Sequence, residues 1–583
     1  MRGVDGAGGA NRRWAAPCLV LLLSLGGATS LIAQDLEVAA AQAGIPLPAG
    51  YWSQVEADPL SFELPNGFFG SREFLPPVRA PGLIPQTAHR AYEGVARFPV
   101  VLALFSDSPE PWVTPGDVEA SLFTGPAPRG TLSEFYSEAS YGRFTVAGDV
   151  LPWVRTSLTR GEVVGTQFGL GEDAQVGAYL LEALNLADET LDFRLYDNDG
   201  PDGVPDSGDD DGIADLVTFE FLEVSASCGG PGIWPHRSGI TRRTEGEPWT
   251  SADVGAAGVP IVVDAYIIQG VTDCSGTQIQ GAGTIAHEFG HALGLPDYYH
   301  PVNGITPENR RWVLGCWDLM AAGAWGCGPV GSSGGPFGPT QFSAWNRYRL
   351  GWLDFTELAS VRDTTVTLAP IRTTPEALWV PLLDDPDGSS FILEYRDQGG
   401  FDRDVPSSGV LVVRIDPGGV LRPESGYRYF ASVVEADGDS ALVKVFSEGG
   451  DRGAPSDVFG GAFTRLNLLT HPGTAGPTGG ASAVAFHRIE NVEGGARIRL
   501  SNHPEPDLVV GTAPVAASAG VLLEEDPLLV AGGTLPVTIV EVTNLPPGLS
   551  AEVDQDRIRL LGVPLAEGTF SAGVAVRDAV GLV

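Results

Sequence analysis

The stretch from Thr284 to Asp297, TIAHEFGHALGLPD, constrains this chain more than any other. His287 and His291 lie one helical turn apart, so on a helix both imidazoles leave the same face and can grip one ion. Ile285, Phe289 and Leu293 recur at i, i+4 and i+8 and give the helix an apolar stripe that anchors it in a core. Gly294 suits the left-handed residue that ends a helix, and Pro296 cannot continue one, so the chain is expected to turn after Leu293 and swing Asp297 back toward the histidines. Two imidazoles and one carboxylate leave a fourth tetrahedral position for water, which marks a catalytic rather than a structural zinc site. Zinc lowers the pKa of bound water from about 16 to about 7. Glu288 is then the natural general base, taking the proton of that water and handing it to a departing amine. Asp297 stands where many such sites carry a third histidine, so the bound water is expected to be less acidic than in an all-histidine site.

A short HExxH run also occurs by chance on ordinary core helices, but here it has company. The glycine and carboxylate that follow match a longer zincin pattern. Gly315 to Gly323 reads GCWDLMAAG, similar to the Met-turn of metzincins, and Met320 is the only methionine after Met1. HEFGHALGLPDYY at His287–Tyr299, GCWDLMAAG and FSAWNRYRLGW at Phe342–Trp352 follow one another in an order that resembles the immune inhibitor A family of secreted bacterial metallopeptidases. TLSEFYSEASYGRFTVAGDV at Thr131–Val150, IWPHR at Ile233–Arg237 and FILEYRDQGGFD at Phe391–Asp402 resemble the same family. The resemblance covers residues 95–500 and implies a zinc endopeptidase with calcium sites, made with a propeptide.

At 583 residues the chain exceeds what one core supports, so several domains are expected. A net charge of −38 argues against nucleic acid and anionic membranes as partners, since both demand a basic surface. Arg12 and Arg13 precede the short apolar run Trp14–Leu25 and the small residues Gly26, Gly27, Ala28 and Ser30, the pattern of a secretory signal over residues 1–33 cut after Ser30 or Ala33. The run is too short to span a membrane, and no later stretch qualifies. Cys18 leaves with it. Cys228, Cys274, Cys316 and Cys327 remain, and an even number in an exported chain favours disulfides. Of three pairings, proximity favours Cys316 with Cys327 and leaves Cys228 with Cys274; a second zinc site is the rival, although no close C-x-x-C pair occurs.

In chain order, residues 34–95 read as a proline- and glycine-rich propeptide and linker with no cysteine, which excludes a thiolate latch on the zinc. Residues 96–355 read as an α+β metzincin-like zinc peptidase domain. Its expected strands are Arg97–Asp107, Arg143–Val150, Ala214–Val224 and Val259–Gly270; its expected helices open at the Thr131-x-x-Glu134 capping box and run over Glu172–Leu186. Asp197, Asp199, Asp202, Asp206, Asp209, Asp211 and Asp215 alternate with glycines in one loop and are candidate calcium ligands, though no glutamate closes the loop as in an EF-hand. The alternative is an ion-free acidic loop. His236 either lines the cleft or is a hydrogen-bonded structural histidine, His300 fits a third ligand less well than Asp297, and Tyr298 or Tyr299 could offer a hydroxyl to an oxyanion. Residues 356–503 read as a β-sandwich, with hairpins at DDPDGSS and around Asp437-Gly438. Residues 504–583 resemble an immunoglobulin-like β domain, a spacer or a surface- or matrix-docking module. It stops at Val583 just after a strand and is expected to lack an edge strand or to continue. Protein or peptide substrates are the expected partners. An exported zinc endopeptidase competes with two other readings, an inactive relative used for adhesion and a zinc hydrolase of small amides; the complete ligand set with Glu288 favours the first.

Overall fold

The computed structural model describes residues 91–583 except 198–203, 208–209, 245, 303–306, 328–337, 384, 424–425, 478–481, 504–508, 512–513, 532–535, 555–556 and 579–583. The expected signal sequence and most of the expected propeptide therefore lie outside the described residues. Tyr92, within the segment read as linker, is already part of the domain: its hydroxyl donates to the Leu293 carbonyl at 3.3 Å, and its own carbonyl accepts from the Trp352 indole at 2.8 Å.

Gly94–Leu104 runs through the middle of a mixed sheet because Phe98 to Leu104 is an unbroken apolar run, as a strand covered on both faces requires. In space the order is Phe144–Val150, Gly94–Leu104, Val217–Phe221, Ala265–Gly270 and His236–Gly239. The first four are parallel, and the last, at the edge, is antiparallel to its neighbour. Strand alternation divides the residues between two cores. Phe98, Val100 and Leu102 face Leu132, Phe135, Tyr136, Ile285 and Phe289, from the helices Leu132–Ala139 and Gly283–Ala292. Val101 and Ala103 face Tyr179, Leu180 and Leu184 of the helix Val176–Ala187.

The Thr131 capping box forms, its hydroxyl accepting from the Glu134 amide and its amide donating to the Glu134 carboxylate. The helix expected from Glu172 starts only at Val176. The single strand expected over Val259–Gly270 is two, Pro260–Val263 and Ala265–Gly270. Asp264 makes the break, since its carboxylate accepts from the Thr241 amide at 2.8 Å and hydroxyl at 3.2 Å. The chain there passes from a three-stranded sheet with Trp249–Val254 and Ile213–Ala214 into the main sheet.

Beyond Trp352 the structure is built of sheets. Five strands, Asp354–Glu357, Glu376–Pro381, Ser390–Arg396, Gly409–Ile415 and Ala431–Val433, form one, and Val361–Leu368, Val484–Val492 and Gly495–Asn502 form another. Phe391, Leu393, Val410 and Val412 of the first meet Leu368, Phe486, Ile498 and Leu500 of the second. The alternate residues Ile392, Leu411 and Val413 join the core that holds Ile285 and Met320. Apolar packing is thus continuous from the first sheet into the second region. The DDPDGSS hairpin forms, Leu378 pairing with Leu393, and the Asp385 carboxylate accepts from the Ser389 amide at 2.8 Å. The hairpin expected around Asp437-Gly438 does not. Glu435 instead turns its carboxylate onto the Ala441 amide at 2.7 Å and the Leu442 amide, which winds the chain into a helical turn over Ala441–Val443.

At the C-terminal end, Val509–Val510, Leu523–Ala531, Arg557–Gly562 and Leu549–Asp554 form a four-stranded sheet and Thr538–Thr543 pairs with Gly573–Arg577 around a small core of Val530, Val537, Ile558 and Val576. Among the described residues no helix is long and apolar enough to cross a membrane.

Candidate metal centre

The helix Gly283–Ala292 packs Ile285 and Phe289 into the core, and the buried Tyr136 hydroxyl donates to its Ala286 carbonyl at 2.7 Å. Gly294, with φ of +84°, reverses the chain, and the Leu295 amide closes back on the Gly290 carbonyl at 3.0 Å. The reversal presents the Leu295 carbonyl to His291, whose Nδ1 lies 2.8 Å from it. His287 Nδ1 lies 2.9 Å from the Leu319 carbonyl. A carbonyl only accepts, so each Nδ1 carries a proton and Nε2 is the nitrogen left to bind a metal, the arrangement that orients metal-bound histidines. The two rings stand 4.7 Å apart between centroids.

Asp297 arrives where the turn directs it. Its Oδ1 lies 3.2 Å from His287 Nε2 and 3.3 Å from His291 Nε2, buried and without a well-directed hydrogen bond. The three ligand atoms fall within 4.8 Å of one another. Two imidazole lone pairs and an orphaned carboxylate oxygen on one point fit a divalent transition ion. Burial alone would push the Asp297 carboxyl up, but the two histidines hold it well below the usual range. Burial likewise opposes charge on His291, yet Asp297 outweighs it and raises the imidazole to about 9. Glu288 is also buried, which raises its carboxyl; the histidines and the Arg237 backbone N–H oppose that rise and Asp297 adds to it. Arg237 sits on the antiparallel edge strand, so that strand positions the Glu288 carboxyl.

Met320 closes the site from below and is fully buried. A Cβ on Gly290 would stand 2.5 Å from the Met320 sulfur, so the helix and this turn meet only through a glycine. Asp318 shapes the turn: one carboxylate oxygen accepts from the Met320 amide at 2.7 Å, the other from the Ser343 amide at 2.8 Å, and the Asn346 side chain bridges both. The Cys316–Cys327 disulfide brackets it, and a second disulfide joins Cys228 to Cys274.

Other residues singled out in the sequence lie elsewhere. His236 is structural: Nδ1 donates to the Trp234 carbonyl at 2.7 Å, Nε2 faces the Tyr266 hydroxyl at 3.0 Å, and burial brings its pKa down to about 4. His300 lies 3.2 Å from the Tyr429 hydroxyl, and the Tyr298 hydroxyl accepts from the Trp345 indole at 2.9 Å inside the core, so Tyr298 offers nothing to an oxyanion. Tyr299 lies over His287 with ring centroids 6.3 Å apart. Of the acidic loop, Asp199, Asp202 and Asp209 lie outside the described residues. Asp197 is buried with Oδ1 unpartnered, Asp206 accepts from the Ala256 amide and Asp211 from the Ile213 amide, while the Asp215 amide donates to the Tyr196 carbonyl. Among the described residues this loop does not gather three carboxylate oxygens within 4.8 Å, whereas Glu435, Asp437 and Asp439 do.

Arg422 joins the site with no signal in the sequence. From a loop of the second region it donates to Asp297 Oδ2 at 2.9 Å, leaving Oδ1 for the histidine side. A partner that orients a ligand carboxylate is worth about 10–100-fold in metal affinity. Arg422→Ala should therefore weaken metal binding by about that factor in competition with a chromophoric chelator; an unchanged dissociation constant would show the ion pair to be idle.

Residues 120–353 match the family described as immune inhibitor A peptidase M6, catalytic domain. The pre-pro-metalloprotease PrtV of Vibrio cholerae serotype O1 is 28% identical over 239 residues, 38% of this chain and 24% of that protein. Immune inhibitor A of Bacillus thuringiensis subsp. alesti is 27% identical over 236 residues, 37% of this chain and 31% of that protein. The chain thus matches about a quarter to a third of the length of these relatives. The matched region holds the histidine helix, the turn beneath it and the Asn346 helix that shapes the turn, so this part of the chain is similar to the catalytic domain of the immune inhibitor A-like metallopeptidases.

Proposed function

We propose that the protein is an exported, zinc-dependent endopeptidase in which His287, His291 and Asp297 hold the metal and Glu288 is the general base. The observation that carries this is the convergence of both Nε2 atoms and Asp297 Oδ1 beside a buried glutamate. Bound zinc would supply a Lewis acid for the scissile carbonyl and a lowered pKa for water. Glu288, whose carboxyl burial raises, would in its ionised form take the proton of the attacking water and deliver it to the leaving amine. Thr284, Trp234 and Tyr299 wall the cavity in front of it and would exclude bulk water. Digestion of casein abolished by 1,10-phenanthroline and restored by zinc tests the reading; digestion that survives metal removal overturns it.

We also assign calcium to the acidic loop that begins at Asp197. Burial, with Asp211 and Asp210 nearby, raises Asp197 to about 8, and burial raises Asp211 to about 7. A carboxylate raised above its unfolded value of about 3.9 favours the fold below that pH and loses this contribution as pH climbs through its folded pKa. Stability in EGTA should therefore fall between about pH 4 and pH 8. Calcium at a hundredfold excess over Kd should add about 2.7 kcal/mol, roughly 5–10 °C in Tm. A melting curve at pH 8 with zinc present that does not respond to calcium sinks the assignment. Export rests on residues 1–33 and on the paired cysteines.

A further inference from the structure

Two cavities open side by side along the start of the metal helix. The first lies against Glu288, and the second reaches past Gly283 and Gly281 to the Cys228–Cys274 disulfide. Ser227, Thr284, Ala324 and Trp325 line both, so the two form one continuous cleft. Their charges differ. The first meets Glu288, His287 and Arg310, whose guanidinium sits among the rings of Tyr299, Trp325, Trp234 and Trp312. The second has one charged residue on its walls, Asp273. Residues 328–337, which lead to Gly338 on its wall, contain no charged side chain. Asp273 is held by its own turn: Oδ1 accepts from the Ser275 amide at 3.1 Å and hydroxyl at 2.6 Å, and from the Gln278 amide at 3.4 Å. Its backbone amide donates to the Gln278 carbonyl at 2.9 Å, and the next residue, Cys274, ties the turn to Cys228. Among the described residues no hydrogen bond reaches Oδ2 and no cation pairs with this carboxylate.

A slot walled by an indole and a disulfide, with a single carboxylate, fits a long side chain that has an apolar stem and a cationic tip. The stem of lysine or arginine packs on the Trp325 ring and the disulfide, and the tip donates a charge-assisted hydrogen bond to Asp273. The start of the helix opposes this with about half a positive charge, and an ionised carboxylate carries about twice that. An aliphatic side chain gives the carboxylate no partner, and an acidic one repels it. Gly283 precedes Glu288 by five residues, roughly 7.5 Å along the helix, which an extended peptide at about 3.3 Å per residue covers in two to three residues. Given the peptidase reading, on which this rests, we propose that Asp273 is a specificity-determining residue and that the second cavity takes a lysine or arginine side chain of the substrate, two or three residues from the scissile bond.

The zinc-loaded full chain is incubated at low salt with a proteome-derived peptide library, and the new termini are sequenced. Lysine and arginine should be enriched over glutamine by about fivefold, the upper range for a partly exposed ion pair, at the second or third residue on one side of the cut. Asp273→Asn removes the charge but keeps an oxygen for Ser275 and Gln278, so it should melt with the wild type and lose the enrichment. Only one charge of a net −38 is removed, so the long-range field stays nearly the same and the loss reports the local carboxylate. No basic enrichment at these positions, or one that persists in folded Asp273→Asn protein, overturns the assignment. If that variant does not fold, the wild type decides alone: kcat/KM for two blocked peptides of one cleaved sequence, with lysine or glutamine at the enriched position, should differ by about fivefold and converge at high salt. Equal values, or a difference that salt does not reduce, overturn it. A library left uncut refutes the peptidase reading instead, and the cavity is then judged by binding. In calorimetric titrations of the zinc-loaded chain the blocked tetrapeptide Ala-Ala-Lys-Ala should bind about fivefold more tightly than Ala-Ala-Gln-Ala, and equal affinities refute the proposal.

Discussion

Glu288→Ala is expected to lower kcat on casein by about 10²–10⁴-fold while one equivalent of zinc remains bound. The two effects separate because Glu288 is not one of the three groups that converge on the metal position; it lies beside them, buried, with the Arg237 backbone N–H on its carboxyl. Its loss removes a proton acceptor and leaves the imidazole tautomers untouched, since these are set by the Leu319 and Leu295 carbonyls. His287→Ala, by contrast, should lose metal and activity together. The pH profile carries a sign as well. The base must be ionised to work, so wild-type activity should fall as pH drops through the Glu288 pKa, and burial places that limb above the ordinary glutamate range. Retained turnover in metal-loaded Glu288→Ala protein would remove Glu288 from the mechanism.

Arg396→Met should cost about 3–5 kcal/mol of stability, the largest effect expected away from the metal centre. Arg396, Glu394 and Asp402 are all fully buried. The guanidinium donates to both Asp402 oxygens at 2.9 and 2.6 Å, to Glu394 at 3.0 Å and to the Trp317 carbonyl at 2.5 Å. Removing it strands two carboxylates in the core, which costs far more than the network itself stabilises. Those carboxylates have further duties: Glu394 accepts from the Ala344 amide and Asp402 from the Gln341 amide at 3.0 Å. The strand that carries Arg396 is thus joined to Trp317, just ahead of the turn under the histidines. Arg396→Lys keeps the charge but not the fork and should cost less. Denaturant unfolding followed by tryptophan fluorescence measures both, and a midpoint for Arg396→Met equal to wild type would show the network to be dispensable.

This network shows where sequence reasoning stopped. FILEYRDQGGFD is legible as a segment resembling the family and lies within the expected β-sandwich, yet nothing in the string says that Glu394, Arg396 and Asp402 reach Trp317 and the helix after Ser343. The same holds for TLSEFYSEASYG, whose capping box was plain while the Tyr136 hydroxyl on the metal helix was not. Strand ends also slipped. Val259–Gly270 has no proline or glycine at its break, and only Asp264's bond to Thr241, more than twenty residues earlier, splits it.

What the string by itself determined is local. The pitch of a helix puts His287 and His291 on one face, and a left-handed glycine followed by Pro296 returns Asp297 to them; these relations need no partner beyond about ten residues of chain. Met320 was conspicuous for a different reason, its rarity. Tertiary structure alone decided which groups surround that cluster: the Leu319 carbonyl that sets the His287 tautomer, Arg422 on Asp297 from 125 residues away, and Arg310 inside its ring of aromatics. Their distances depend on how two sheets and a disulfide-closed loop pack together, and packing selects side chains by shape and charge in three dimensions, where separation along the chain carries no information.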